Sequence, residues 1–357
     1  MERDIKKINL SGFSQANYKK SVPLRQKTVK KSCPKYHLIY LTIFAEYSWI
    51  NLPINDKKGV CFKLQRQNMP TDKLNIHRRP NFNNPRLLLG FSGWMDGGEV
   101  STGTVKFLID KLRAQKFAEI KPEGFYIYSF PGSMEMTALF RPHTNIKDGL
   151  IKSFEIPADA FFYSEENDLI MFLGKEPNLQ WEEFAECIFS LCEQLGVRNI
   201  YFIGSIAGLV PHTREPRFIC SVSDAELKET FQHYGVKFTN YEGPASIITY
   251  LTNNCYKRDL NMVNLVATIP AYVQGNNPKC IETVTRRLTG MLDVQVKLDD
   301  LRIISDEFER KLSDIVQEQP ELESNIHKLE EDYDNEIFNS EMVDLKQWLE
   351  QKGIRVD

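Results

Sequence analysis

The chain has no CxxC pair, no HxxxH pair and no apolar run long enough to span a bilayer, and each gap removes a class of protein. Its seven cysteines (Cys33, Cys61, Cys187, Cys192, Cys220, Cys255 and Cys280) form no regular framework. They read as small buried hydrophobes in a reducing cytoplasm, not as a disulfide scaffold. The six histidines lie far apart, so metal is set aside. There is no GxxxxGKS/T loop, and Gly90 to Gly98 (GFSGWMDGG) does not match GxGxxG, so the common phosphate cradles are missing. Gly204-Ser-Ile-Ala-Gly208 is GSxxG, not the GxSxG of a nucleophile elbow. Charge of one sign is also lacking: the net is −3, which predicts no attraction to nucleic acid.

What is present is a recurring unit of apolar strand, glycine loop and helix. Arg86 to Gly90 reads as a buried strand, followed by the glycine-rich loop to Gly98 and a helix whose face is Val100, Val105, Leu108, Ile109 and Leu112. Further strands are expected at Phe125–Ser129, Leu169–Leu173, Ile200–Ile203 and Asn264–Thr268, with helices over about 179–195 and from Gly243-Pro244 to about Lys257. This pattern predicts an α/β class, a three-layer α/β/α domain over residues 85–297 with a largely parallel central sheet.

The ends differ from this core. Residues 1–84 open with a basic stretch without apolar period and contain Leu38 to Leu52, which carries Glu46 and is too short to cross a membrane. They are expected to be a poorly ordered extension. Residues 298–357 form an expected helical appendage, with the stripe Leu301, Ile304, Phe308 and Leu312 continuing at Leu322, Ile326 and Leu329 beyond Pro320, and a last short helix over 342–351.

Five short motifs then stand in order: Gly90 to Gly98, Gly174-Lys-Glu-Pro-Asn178 with Trp181, Pro211-His-Thr-Arg214, Tyr241-Glu-Gly-Pro244 and Asn277-Pro-Lys279. Together, over about residues 85–320, they resemble the bacterial and archaeal branch of the proteasome assembly chaperone 2 family. The resemblance implies a nucleoside-phosphorylase-like α/β/α fold with a helical appendage, usually self-associated. Members of this branch are often labelled ATP-grasp-like, which would imply a carboxylate–amine ligase. An ATP-grasp site needs lysines over the nucleotide and an acidic magnesium pair, and no strand pair here supplies them. Two departures stand out. Leu179-Gln180-Trp181 lacks the arginine that usually precedes the tryptophan, and the chain ends Gly353 to Asp357 without the hydrophobic–Tyr–any tail of proteasome-docking relatives.

Candidate site residues follow from position at strand ends, where open α/β sheets place ligands. They are Asp96, Glu176, His212, Arg214 and Glu242. Arg214 could supply a bidentate fork and His212 a titratable donor for an anion, or both could serve loop hydrogen bonds. Asp96 and Glu242 suit helix caps as well as an anion site, and Glu176 could cap the following helix. Trp94 and Trp181 read as packing or interface residues. The favoured function is a non-catalytic assembly-chaperone-like or scaffold protein, a homo-oligomer acting through protein contacts, including a protein partner. The alternative is an anion-binding protein or enzyme using the five strand-end residues. No cofactor is assigned.

Overall fold

The computed structural model describes residues 72–351, with side chains through residue 338. The expected basic extension lies outside the described residues as far as residue 71. Beyond it, the chain forms a nine-stranded sheet, in the order β1 (Leu74–Ile76), β3 (Gln115–Ile120), β6 (Asp159–Ser164), β7 (Leu169–Lys175), β2 (Arg86–Ser92), β8 (Asn199–Gly208), β11 (Asn261–Pro270), β9 (Phe218–Val222) and β10 (Lys237–Phe238). The run β7-β2-β8-β11 is parallel. Strands β6, β3 and β1 continue it antiparallel on one side and β9 on the other, while β10 runs parallel to β9.

Central strands are apolar throughout because both faces are covered. On β2, Leu87, Leu89 and Phe91 pack with α3 (Trp181–Leu195) and α5 (Ile247–Cys255), while Leu88 packs on the opposite face with α1 (Val100–Lys111) and α6 (Pro278–Met291). A one-residue alternation thus feeds two separate cores, and the result is the three-layer α/β/α fold. Both helix starts are specified locally. Ser246 and Thr249 exchange hydrogen bonds as a capping box at α5. Asn277 accepts from the Cys280 N–H at α6, where Pro278 takes the first position.

Several boundaries differ from expectation. Phe125–Ser129 is not a strand: Phe125 is buried edge-on to Phe184, 5.1 Å between ring centroids, and its carbonyl accepts from the N–H groups of Asn178 and Leu179. The apolar run there serves a loop that buries Phe125 and Tyr126. The helix expected from Gly243-Pro244 begins at Ile247, where the cap is. The sheet begins before residue 85, because Leu74–Ile76 pairs with β3 and Lys73 bonds Glu183 at 2.7 Å.

The carboxyl-terminal stretch forms α7 (Asp299–Gln317) and α8 (Pro320–Gln351), one long helix where a break and a short last helix were expected. The stripe is covered within the chain. Leu312, Val316, Leu322 and Ile326 close on Tyr272, which follows β11, and Leu301 joins the core under α6. The apolar stripe therefore gives no reason for a second subunit.

Candidate functional site

The five strand-end residues do different jobs. Asp96 lies in the loop after β2, which pairs with Ser205 of β8. Its carboxylate accepts from the Thr102 backbone N–H at 3.1 Å and from the Thr102 hydroxyl at 2.8 Å, six residues on inside α1. Asp96 makes no side-chain cap bond at the helix start that follows it, since Glu99 is left-handed and Thr102 takes both oxygens. Burial raises the Asp96 pKa against these bonds.

Glu176 follows β7 and holds two backbones together. One oxygen accepts from the Trp94 N–H at 3.0 Å, the other from the Ile247 N–H at 3.1 Å at the start of α5. Gly93 makes the approach possible: its φ is +140°, and a Cβ there would stand 2.9 Å from the Glu176 Cβ.

His212 is 4% exposed. The Tyr272 hydroxyl accepts from its backbone N–H at 2.7 Å and lies 2.8 Å from Nδ1. Nε2 faces the Ser313 hydroxyl of α7 at 3.1 Å. If the phenol accepts the backbone proton and donates its own, Nδ1 is the acceptor and Nε2 carries the imidazole proton. Burial, then the nearby Lys279 charge, push its pKa down to about 4, so the ring is neutral at pH 7. Lys279 donates to the His212 carbonyl at 2.7 Å and to Glu309 at 2.5 Å. Arg214 forks onto Asp334 of α8 at 2.9 and 2.8 Å, and Thr213 bonds Glu330. Around His212, Arg214 and Lys279 only about 10 Å³ is free, too little for a ligand larger than water. Glu242 stands exposed in the loop before α5. The structure thus brings Asp96 and Glu176 to neighbouring loops over β2, ties His212 and Arg214 to the carboxyl-terminal helices, and leaves Glu242 outside both bond networks.

Two features escaped the sequence reading. Asp159 on β6 is 1% exposed, accepts from the Tyr126 hydroxyl at 2.6 Å and the Lys175 N–H at 2.9 Å, and is pushed by burial up to about 6. The second is an arm between Pro131 and Pro157. It comprises α2 (Met134–Ala138) and a separate hairpin of β4 (His143–Lys147) and β5 (Leu150–Glu155). Met134, Leu139, Ile146, Leu150, Ile151 and Phe154 are each 60–84% exposed there. Its signal was in the chain: Asp148-Gly149, both at positive φ, is a favoured two-residue hairpin turn, with Ile146 before it and Leu150-Ile151 after it.

Among the described residues, no three His, Cys, Asp or Glu side chains gather as a metal site, and no helix is long and apolar enough to cross a membrane. Residues 90–316 match the family model described as the PAC2 family. No curated protein matches the sequence. Among solved structures, a proteasome-assembly chaperone homologue from Mycobacterium tuberculosis is similar at 26% identity and a TM-score of 0.59, covering 68% of this chain and 99% of that one. A protein of unknown function from Corynebacterium glutamicum shares 20% identity at a TM-score of 0.65, covering 75% and 99%. An archaeal proteasome activator from Pyrococcus furiosus shares 19% at 0.52, covering 68% and 97%.

Proposed function

The chain belongs to the PAC2 family, and from that premise we propose that it is a non-catalytic, assembly-chaperone-like protein of the cytoplasm that acts through protein contacts made by its 131–157 arm. The observation that carries this reading is the arm's exposure. Monomeric surfaces scatter single apolar residues, whereas six large exposed apolar side chains gathered within one short arm point to an interface. A lone two-stranded hairpin is also marginal in water unless something covers it. The 26% identical relative described as a proteasome-assembly chaperone homologue supports the class.

A second copy of the chain is the first partner this reading commits to. Among the described residues each hairpin strand pairs only with the other, which leaves both outer edges open to an identical arm, the arrangement of an isologous contact. Light scattering at micromolar concentration tests it. The mass should be a multiple of 41.4 kDa and should fall to 41.4 kDa when Ile151→Glu and Phe154→Glu are combined. A wild-type mass of 41.4 kDa would remove self-association from the reading.

A further inference from the structure

The face of the sheet that carries α3 and α5 is not fully covered. Its core takes in residues of β7, β2 and β8 and Met262 of β11, but none of β9. Beyond α5 lies a cavity of about 490 Å³, floored by Ile219 and Ser221 of β9 with Asn264 and Val266 of β11, and bordered by Thr252 of α5. That volume falls within the usual range of small-molecule sites, roughly 300–1,000 Å³.

Asn264 is 4% exposed on a strand whose other buried residues are apolar. Its Nδ2 donates to the Thr252 hydroxyl at 2.9 Å and the Ser221 hydroxyl at 3.0 Å. Thr252 donates its own proton to the Ile248 carbonyl at 2.7 Å, so its oxygen must accept from Asn264. That determines which way round the amide sits, and it leaves Oδ1 without a partner among the described residues. A buried acceptor of this kind calls for a donor.

The remaining lining sets the class of ligand. Among the described residues no Asp, Glu, Lys, Arg or His borders the cavity, so an ion would lose its water with no counter-charge to replace it. Two aromatic side chains flank the space: Trp94 is 68% exposed and Tyr241 is 65% exposed. The Trp94 backbone is held by Glu176, and the Tyr241 hydroxyl donates to the Pro244 carbonyl at 3.1 Å. Aromatic rings at the rim of a cavity are suited to stack on a flat ring. We propose that this cavity binds an uncharged planar heterocycle bearing an N–H or O–H donor, with Asn264 on the floor and Trp94 and Tyr241 at the rim. The inference is independent of the arm, which lies on other elements.

Three related probes test it on the full chain by saturation-transfer NMR: oxindole, which is neutral with a ring N–H; N-methyloxindole, which lacks the donor; and an indole carboxylate, which is an anion. Oxindole should bind saturably with a submillimolar Kd, the methylated form about ten-fold more weakly, and the carboxylate not measurably. Asn253→Trp, at an exposed α5 position beside the cavity, should abolish binding, and Trp94→Ala should weaken it several-fold, both with unchanged circular dichroism. No saturable oxindole binding, equal affinity for all three probes, or binding that survives Asn253→Trp would overturn the proposal. So would a wild-type dimer that Trp94→Ala dissociates while oxindole stays unbound, since a second chain would then occupy the face.

Discussion

Asp159→Asn should make the protein more stable at pH 7 and less so, by comparison with wild type, as the pH falls. Burial lifts the Asp159 pKa from its ordinary 3.8 to about 6, despite its bonds to Tyr126 and Lys175. A carboxyl whose folded pKa is raised contributes its stability below 3.8 and loses it as the pH rises through about 6. At roughly 1.4 kcal/mol per tenfold, ionised Asp159 costs on the order of 3 kcal/mol at neutral pH. Asparagine fits the same place. Its oxygen can accept from the Lys175 N–H, and its amide can donate to the Tyr126 hydroxyl, whose single proton then turns from residue 159 to the Lys175 carbonyl, 2.9 Å away. Urea unfolding of both proteins between pH 7.5 and 3.5, roughly the window between the two protonation limits, gives a difference curve. The variant should lead at pH 7 by about 2–3 kcal/mol, and the lead should shrink to near zero by about pH 4. A flat difference curve, or a variant less stable at every pH, would refute the assignment of a strained buried carboxylate.

His212→Gln should give a difference curve of opposite origin. His212 is depressed from 6.5 to about 4, so its stabilising effect is present above 6.5 and fades as the pH falls towards 4; that wild-type loss should be missing from the variant in urea titrations. Gly174→Ala should destabilise by about 1–3 kcal/mol, because a Cβ there would lie 2.4 Å from the Phe172 ring and 2.5 Å from Asp159; an unchanged denaturation midpoint would contradict this. Glu176→Ala strips the acceptor from the Trp94 and Ile247 N–H groups and should cost about 2 kcal/mol, with Glu176→Gln recovering part of it. Arg214→Ala should quicken amide exchange in α8 around Glu330 and Asp334 while leaving exchange in β8 unchanged.

The parallel centre was legible because β2, β7, β8 and β11 are apolar on both faces, which leaves a continuous hydrophobic run that no surface helix would show. The antiparallel flanks were not. Strand β3 reads Gln-Lys-Phe-Ala-Glu-Ile, with its ladder position set by β6, and β6 itself begins with a buried aspartate. Phe125–Ser129 carries a better strand pattern than either. Its buried rings belong to a loop tied by hydrogen bonds to Asn178 and Leu179, and partners so distant in the chain leave no local signature.

The candidate site divides along the same line. Each of its residues lies in a loop that follows a strand, and glycine and proline mark such loops locally. What His212 and Arg214 bond is not local. Tyr272 lies 60 residues after His212 and Ser313 lies 101 after it, yet they engage the two ring nitrogens. Asp334, 120 residues from Arg214, takes its guanidinium. The Pro211 to Arg214 motif therefore works as a latch that holds the carboxyl-terminal helices to the end of β8, because it spends its imidazole and guanidinium on them. A latch and an anion site can share the same four residues in sequence. They are separated by whether space and free donors remain, and about 10 Å³ with each donor engaged favours the latch. The same criterion turns attention to Asn264, a strand residue that attracted no notice as a sequence. Its Oδ1, without a partner among the described residues and next to a cavity of about 490 Å³ bordered by uncharged side chains, has capacity left to bind something else.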